Sequence, residues 1–256
     1  MDVIITRYNE FVNWVDYLPE TVNKIYIYNK GYNDMLFKNH ESKYKDKIII
    51  IRLVNVGKME HTIAYHIVKN WDSLPDNLIF LPGSILMNPQ KGKFLGSIIR
   101  NVPELTSKHK GFYSPKFKKV SSSYNYTNSK NKAVTKGTRN VNNSDLVKSQ
   151  FPTFMDFKNE LIDTKPIHYT CYRSMFAVAK ENILYIPKET FIKLQSCLEI
   201  GENNENTFYA ERIWAHLFRQ YSFFKLNEPE QQSDQKITIL TNDSRNNNNT
   251  DIMEID

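Results

Sequence analysis

The signature motifs of nucleotide, metal and nucleophile chemistry are absent from this chain. It has no P-loop, no G-x-G-x-x-G, no G-x-S-x-G, no H-E-x-x-H, no paired C-x-x-C and no Asp-x-Asp. Chemistry must come from looser groupings of polar residues. Asn55, Gly57 and Lys58 stand just ahead of a helical pattern. Asn can cap the helix, Gly allows close approach of a backbone or ligand, and a lysine at a helix N-terminus suits a phosphate. An ordinary strand–helix–strand connection with no ligand accounts for the same residues. Glu211 aligns with Trp214 and Phe218, at i+3 and i+7 on one helix. A carboxylate bordering an apolar stripe can have a raised pKa and act as a general base. The plainer reading is a glutamate favoured by the helix dipole and paired with Arg212. Glu10 and Glu60 stand beside strand-end loops, where helix-start or loop salt bridges explain both. His61 and His66 are five residues apart, on different faces of one helix, and are not expected to share a metal.

Positioning these groups requires a frame, and hydrophobic periodicity predicts one. Residues 3–6, 25–28, 48–53 and 78–81 read as strands. Phe11, Trp14, Val15 and Leu18 predict a short amphipathic helix closed by Pro19. Ile63, Ala64, Ile67, Val68 and Trp71 predict a longer one over residues 58–71, with His61, Thr62, His66 and Lys69 mostly off its packed face. Strands and helices alternating in this way predict a doubly wound, mostly parallel, Rossmann-like α/β sheet. Ligands of such sheets bind outside the carboxyl ends of the strands. Arg7 to Glu10, Asn29 with Lys30, Asn55 to Lys58 and Gly83 with Ser84 all fall there, and their convergence says more than any one cluster. Later in the chain, helices are predicted over 92–102, 154–161, 187–198 and 208–220, and strands over 171–179 and 237–240.

Length and composition bound the alternatives. The 256 residues are 40% hydrophobic and 13% aromatic, enough for a sizeable α/β core over residues 1–226. The net charge of +6 and pI near 9.0 fit an anionic partner, a nucleotide or a nucleic acid. Residues 108–148 change character: Lys116, Lys118, Lys119, Lys130, Lys132, Lys136 and Arg139 are interleaved with Tyr113, Tyr124 and Tyr126, and Asp145 is the sole acid. Such a tract can bind single-stranded nucleic acid, but a disordered, solvated basic insertion is the better reading of the same residues. Residues 227–256 read as a polar, disordered tail. Cys171 and Cys197 are too few for a disulfide framework. No apolar run would span a membrane, and the first residues read as a strand rather than a signal peptide, so a cytoplasmic location is expected and the four N-x-[ST] sequons read as chance.

Several segments resemble known families. Arg7-Tyr8-Asn9-Glu10 with Trp14, followed by Ile25-Tyr26-Ile27-Tyr28-Asn29-Lys30-Gly31, resembles the start of glycosyltransferase-like proteins of the GT-A type. Residues 55–62 with 65–68 are similar to the N-x-G-R-E-x-H-T-Y-L-x-H-I segment of a widespread uncharacterised family. Residues 71–81 match its Y-D-x-L-P-D-x-x-x-F-L element, 171–178 its C-x-x-S-x-F-x-V, and 211–214 its E-R-x-W. A similar N-x-G-R-[DE] element occurs in rhamnan-synthesis-type glycosyltransferases. The resemblance covers most of residues 2–107 and 168–219.

It implies a GT-A-like fold that transfers a sugar from a nucleotide-sugar donor to a hydroxyl of a glycan or protein acceptor. On that reading Arg7, Tyr8, Asn9 and Glu10 line the nucleotide pocket, with Asn29 and Lys30 nearby. Asn55, Gly57 and Lys58 approach the diphosphate, and Glu211 is the base. Most GT-A enzymes use a divalent metal, manganese or magnesium, held by Asp-x-Asp. Here the matching strand ends in Leu81-Pro82-Gly83-Ser84, where relatives often carry Asp after the Gly, and Lys58 replaces the usual Arg. Either Lys58 and other cations serve without a metal, or the chain is a catalytically inactive relative that binds or scaffolds. Nucleic-acid binding through the basic tract is a third expectation.

Overall fold

A computed structural model of the chain describes residues 1–38, 41–87, 89–121, 123–126 and 146–225. Lys130, Lys132, Lys136 and Arg139, three of the four sequons, the predicted strand at 237–240 and the tail lie outside the described residues. β1 (Asp2–Arg7), β2 (Lys24–Asn29), β3 (Ile48–Arg52) and β4 (Asn77–Pro82) are parallel, in the order β3-β2-β1-β4. Two further strands extend the sheet beyond β4. β5 (Phe112–Tyr113) forms the edge and pairs antiparallel with β8 (Phe176–Ala179), which pairs antiparallel with β4. The result is a mostly parallel, Rossmann-like α/β fold, as the strand–helix alternation predicts.

Val3, Ile4 and Ile5 are fully buried, as an unbroken apolar run in a central parallel strand must be. Alternation sends Ile4, Phe80 and Phe176 into one core, and Val3, Ile5, Ile79 and Leu81 into another. The first core lies under α1 (Lys58–Lys69), α3 (Phe154–Leu161), α5 (Lys188–Leu198) and α6 (Asn206–Lys225). There Trp214 and Phe218 stack at 5.7 Å and Phe80 meets Phe176 at 5.2 Å. The second lies under a 3-10 turn, Asn13–Tyr17, and α2 (Pro89–Asn101).

Three local expectations are corrected, and one expected strand takes an edge position. The helix expected around Trp14 is that single 3-10 turn. The third strand, four isoleucines in a row, is the sheet's edge, with Ile49 and Ile50 exposed. On α1, His61, Thr62 and His66 are buried rather than off the packed face: His66 packs on Tyr26, Tyr28 and Phe80 of the sheet, and His61 meets Glu199 at the end of α5. The strand expected over 171–179 begins only at Phe176 and runs straight into the short helix α4 (Lys180–Leu184). Arg173 and Ser174 adopt left-handed backbone, with φ of 70° and 48°, which no strand accommodates.

The described part of the basic tract is also built into the fold. β5 lies within it, and β6 (Lys118–Lys119) pairs antiparallel with β7 (Tyr169–Thr170). Phe117 stacks on Tyr169 at 4.9 Å, while Tyr124 and Tyr126 meet Phe154 edge-on at 6.0 and 5.9 Å. The solvated insertion expected from Lys108 onward is, over these residues, structural. No helix among the described residues is long and apolar enough to cross a membrane.

Candidate functional site

The strand order reverses between β1 and β4, and a cleft of about 450 Å³ opens beside the carboxyl end of β4. Its walls come from distant parts of the chain. Lys58, Met59 and Glu60 of the first turn of α1 form one wall, and Thr207, Phe208 and Glu211 of α6 form another. Pro82 ends β4 at its edge, Lys91 enters from α2, and Arg173 from the loop before β8.

Gly57 makes the first wall possible. Its φ is +55°, and a Cβ there would lie 2.5 Å from the Leu198 carbonyl oxygen and 2.7 Å from the His61 Cβ. Its N–H donates to Gly201 O at 2.9 Å. The glycine therefore lets α1 start against the end of α5; its close approach is to protein. Gly57 itself occupies the N-cap position and no side chain caps α1, so the cap expected of Asn55 is not formed. Asn55 sits half-buried in the turn between β3 and α1.

Three cations reach the cleft. Lys58 Nζ donates to Asn203 Oδ1 at 3.0 Å and lies 4.7 Å over the Phe208 ring. Lys91 Nζ donates to Ser84 Oγ at 2.9 Å. Burial, and then the charge of Arg173, hold the Lys91 ammonium below its usual pKa, against the pull of Glu10. The Arg173 guanidinium lies 5.5 Å over Phe94.

Two carboxylates face them in unlike settings. Glu60 is 6% exposed, and its Oε1 accepts from the Ser174 hydroxyl at 2.5 Å. Burial and then the charge of Glu211 push its carboxyl up to about 7, opposed by Ser174, its own backbone N–H and Lys58. Glu211 accepts the backbone N–H of Arg173 and pairs with the Arg212 guanidinium. Arg212 is itself sandwiched, 4.5 Å from the Tyr172 ring and 4.7 Å from Tyr126.

The expected rim over β1 and β2 is joined as predicted but stitched shut. Arg7 is fully buried: its guanidinium donates to Glu10 O at 2.6 Å, Asn29 Oδ1 at 2.7 Å, Asn33 O at 2.5 Å and Met35 O at 2.7 Å. Asn29 Nδ2 donates to Asp34 Oδ1 at 2.8 Å, and Asn9 Oδ1 accepts from the Asn33 N–H at 3.0 Å. Lys30 Nζ donates to the carbonyls of Val56 and Lys58, both at 2.5 Å, and burial pushes its ammonium down to about 7. Arg7, Asn29 and Lys30 thus hold the strand-end loops together instead of lining the open space. Tyr8 is exposed, with its ring edge toward Tyr32, and Glu10 Oε2 accepts the N–H groups of Tyr8 at 2.7 Å and Asn9 at 3.1 Å. Of the predicted residues, Lys58 and Glu211 line the cleft.

Lys91, Arg173, Ser174 and Phe208 were not singled out by sequence reasoning, and Glu60 was explained as a salt bridge. A signal did exist for two of them. Ser174 lies within the C-x-x-S segment and Glu60 within the Asn55–Thr62 segment, both of which carry the resemblance.

A divalent metal does not fit the place where relatives carry Asp. The donors at the end of β4 are the neutral Ser84 hydroxyl, engaged by the Lys91 ammonium, and one carboxylate, Glu10, whose Oε2 already accepts two backbone N–H groups. Among the described residues, no group of three or more His, Cys, Asp or Glu could hold a metal ion.

These segments all fall within one recognised family. The chain belongs to the DUF3431 family. The family profile, described as a protein of unknown function, matches residues 3–236, and so spans every element described above except the first residue of β1. No curated protein and no solved structure matches the chain. For a DUF3431 protein, then, function must be argued from the cleft itself.

Proposed function

We propose that this DUF3431 protein is a GT-A-like glycosyltransferase that moves a sugar from a nucleotide-sugar donor to an acceptor hydroxyl. The observation that carries this reading is the cleft beside β4, where Lys58, Lys91 and Arg173 face the buried Glu60 and the half-buried Glu211. A volume of about 450 Å³ is in the range of small-molecule sites. Its position at the reversal of strand order is where doubly wound sheets bind nucleotides. Departure of a nucleoside diphosphate requires positive groups aimed at the oxygens that gain charge. Lys58, Lys91 and Arg173 supply them, with the first-turn amides of α1 adding the positive end of the helix dipole. The exposed Tyr8 and the turn at Asn9 and Glu10 border the same end of the sheet and are the place for the base and ribose.

The test is a thermal-stability screen of nucleoside-diphosphate sugars, with and without manganese. A bound donor at one hundred times its Kd adds about 2.7 kcal/mol. The expected result is stabilisation independent of manganese and strongly reduced in Lys58→Ala and Lys91→Ala. No shift with any donor, or shifts in both variants as large as in the wild type, would count against the reading. The engagement of Glu211 by Arg212 favours a second reading, a binding protein without turnover. That reading expects the same shift and no product.

A further inference from the structure

We infer that Glu60, not Glu211, accepts the proton of the acceptor hydroxyl, and that Glu211 is a positioning residue. This rests on the glycosyl-transfer reading and names the catalytic residue within it.

The two carboxylates are already engaged, in different ways. Glu211 spends one oxygen on the Arg173 backbone N–H and the other on the Arg212 guanidinium. Both bonds occupy oxygens that a general base must offer to an incoming proton. The first also shapes the cleft, because it holds the left-handed turn at Arg173 and Ser174 that β8 would otherwise absorb. Glu60, across the cleft, is bonded to the neutral hydroxyl of Ser174 and forms no salt bridge with the described residues. The charged and titratable groups that act on it come from every side. They are Lys58 on its own helix, Glu211 on α6, Lys30 at the end of β2, and the buried Cys171 thiol before β8. Burial and Glu211 dominate, and a carboxyl poised near neutrality is suited to general-base work at that pH. Two carboxylates with unlike environments therefore divide the labour.

In the step, the acceptor O–H proton passes to the Glu60 carboxylate as the acceptor oxygen bonds to the anomeric carbon. The bond from that carbon to the diphosphate oxygen breaks, and its electron pair leaves with the nucleoside diphosphate. Lys58, Lys91 and Arg173 meet the charge that departs.

The experiment is a pH titration of the full-length, ligand-free protein by infrared spectroscopy, followed by kinetics on the donor selected by the stability screen. A protonated-carboxyl band should fade with a midpoint near 7 and be missing from Glu60→Gln. It should move to lower pH in Glu211→Gln, which removes the neighbouring charge, and to higher pH in Ser174→Ala, which loses the bond to the charged form. In turnover, Glu60→Gln should lower kcat by about 100-fold or more with KM little changed. The acid limb of kcat/KM should move with the band in Ser174→Ala. The assignment is overturned if the band survives in Glu60→Gln, if no carboxyl titrates near neutrality, or if Glu60→Gln turns over normally. Failure of the wider reading looks different. If neither uridine diphosphate nor any nucleotide sugar stabilises the wild-type protein, glycosyl transfer falls and takes the catalytic role with it. Normal turnover by Glu60→Gln removes only the role of Glu60.

Discussion

Burial acts on Glu60 and His66, both on α1, in opposite senses. The Glu60 carboxyl is pushed up to about 7, and the His66 ring is pushed down to about 3. Each moves toward its neutral form, because low-dielectric surroundings penalise charge. His66 is held among Tyr26, Tyr28 and Phe80, with Nδ1 2.9 Å from the Tyr28 hydroxyl. The fold therefore binds the neutral ring. Its contribution to stability is complete above the ordinary histidine value of 6.5 and is lost as pH falls toward 3. Glu60 has the opposite slope, losing stability as pH rises from its ordinary value of 4.5 toward 7. Comparing wild type with His66→Gln isolates the histidine. Their difference in unfolding free energy should fall with acid by up to about 1.4 kcal/mol per pH unit between 6.5 and 3, read by urea denaturation. A difference independent of pH would mean that the ring titrates normally. Neither shift is legible in the sequence, where the two residues read as a helix-start salt bridge and an off-face histidine.

At the scale of elements, the cleft depends on helices staying in register with the sheet, and the Asp163 carboxylate just past α3 links that helix to α6. Lys158 of α3 is fully buried, with Nζ 3.1 Å from Asp163 Oδ1 and 2.5 Å from its carbonyl. His216 of α6 approaches the same carboxylate at 3.3 Å. Burial alone would raise the Asp163 carboxyl, but His216 and Lys158 outweigh it and hold it well below the usual carboxylate range. Removing one partner leaves a buried charge unpaired. Asp163→Asn is therefore expected to cost about 3–5 kcal/mol in urea unfolding at neutral pH. It should cost much less below the native Asp163 pKa, where the wild-type carboxylate is also neutral. A loss under about 1 kcal/mol at neutral pH would mark the pair as ornamental. Element boundaries show how far local pattern carries. The periodicity of 154–161 matches α3 residue for residue, with Thr153 accepting the Asp156 N–H as its cap. The apolar run 171–179 misleads, since Glu211 and Glu60, distant in sequence, draw its first half out of the strand.

For the molecule as a whole, strand order sets a gradient of protection. β1 lies between β2 and β4 with Val3, Ile4 and Ile5 sealed, whereas β3 is an edge strand with exposed isoleucines. Amide exchange of β1 is expected to require near-global opening and to be the slowest, with the outward amides of β3 far faster. Equal rates would show that the sheet opens as one unit. The same order places the cleft where the winding direction changes. The basic tract, read alone as a nucleic-acid arm or a solvated loop, turns its described aromatics inward: Tyr126 lies against Phe154, Tyr209 and Arg212.

By itself the sequence determined the α/β class, the parallel strands, most helices and the meeting of the strand-end loops, because burial period and turn chemistry are local properties. Only the tertiary structure decided which polar groups face open space. Arg7, Asn29 and Lys30 find carbonyl and amide partners from neighbouring loops and are consumed by the fold, while Lys91, Arg173 and Glu60 are brought to one cleft. A donor's availability depends on what lies within about 3 Å of it, and those neighbours come from anywhere in the chain.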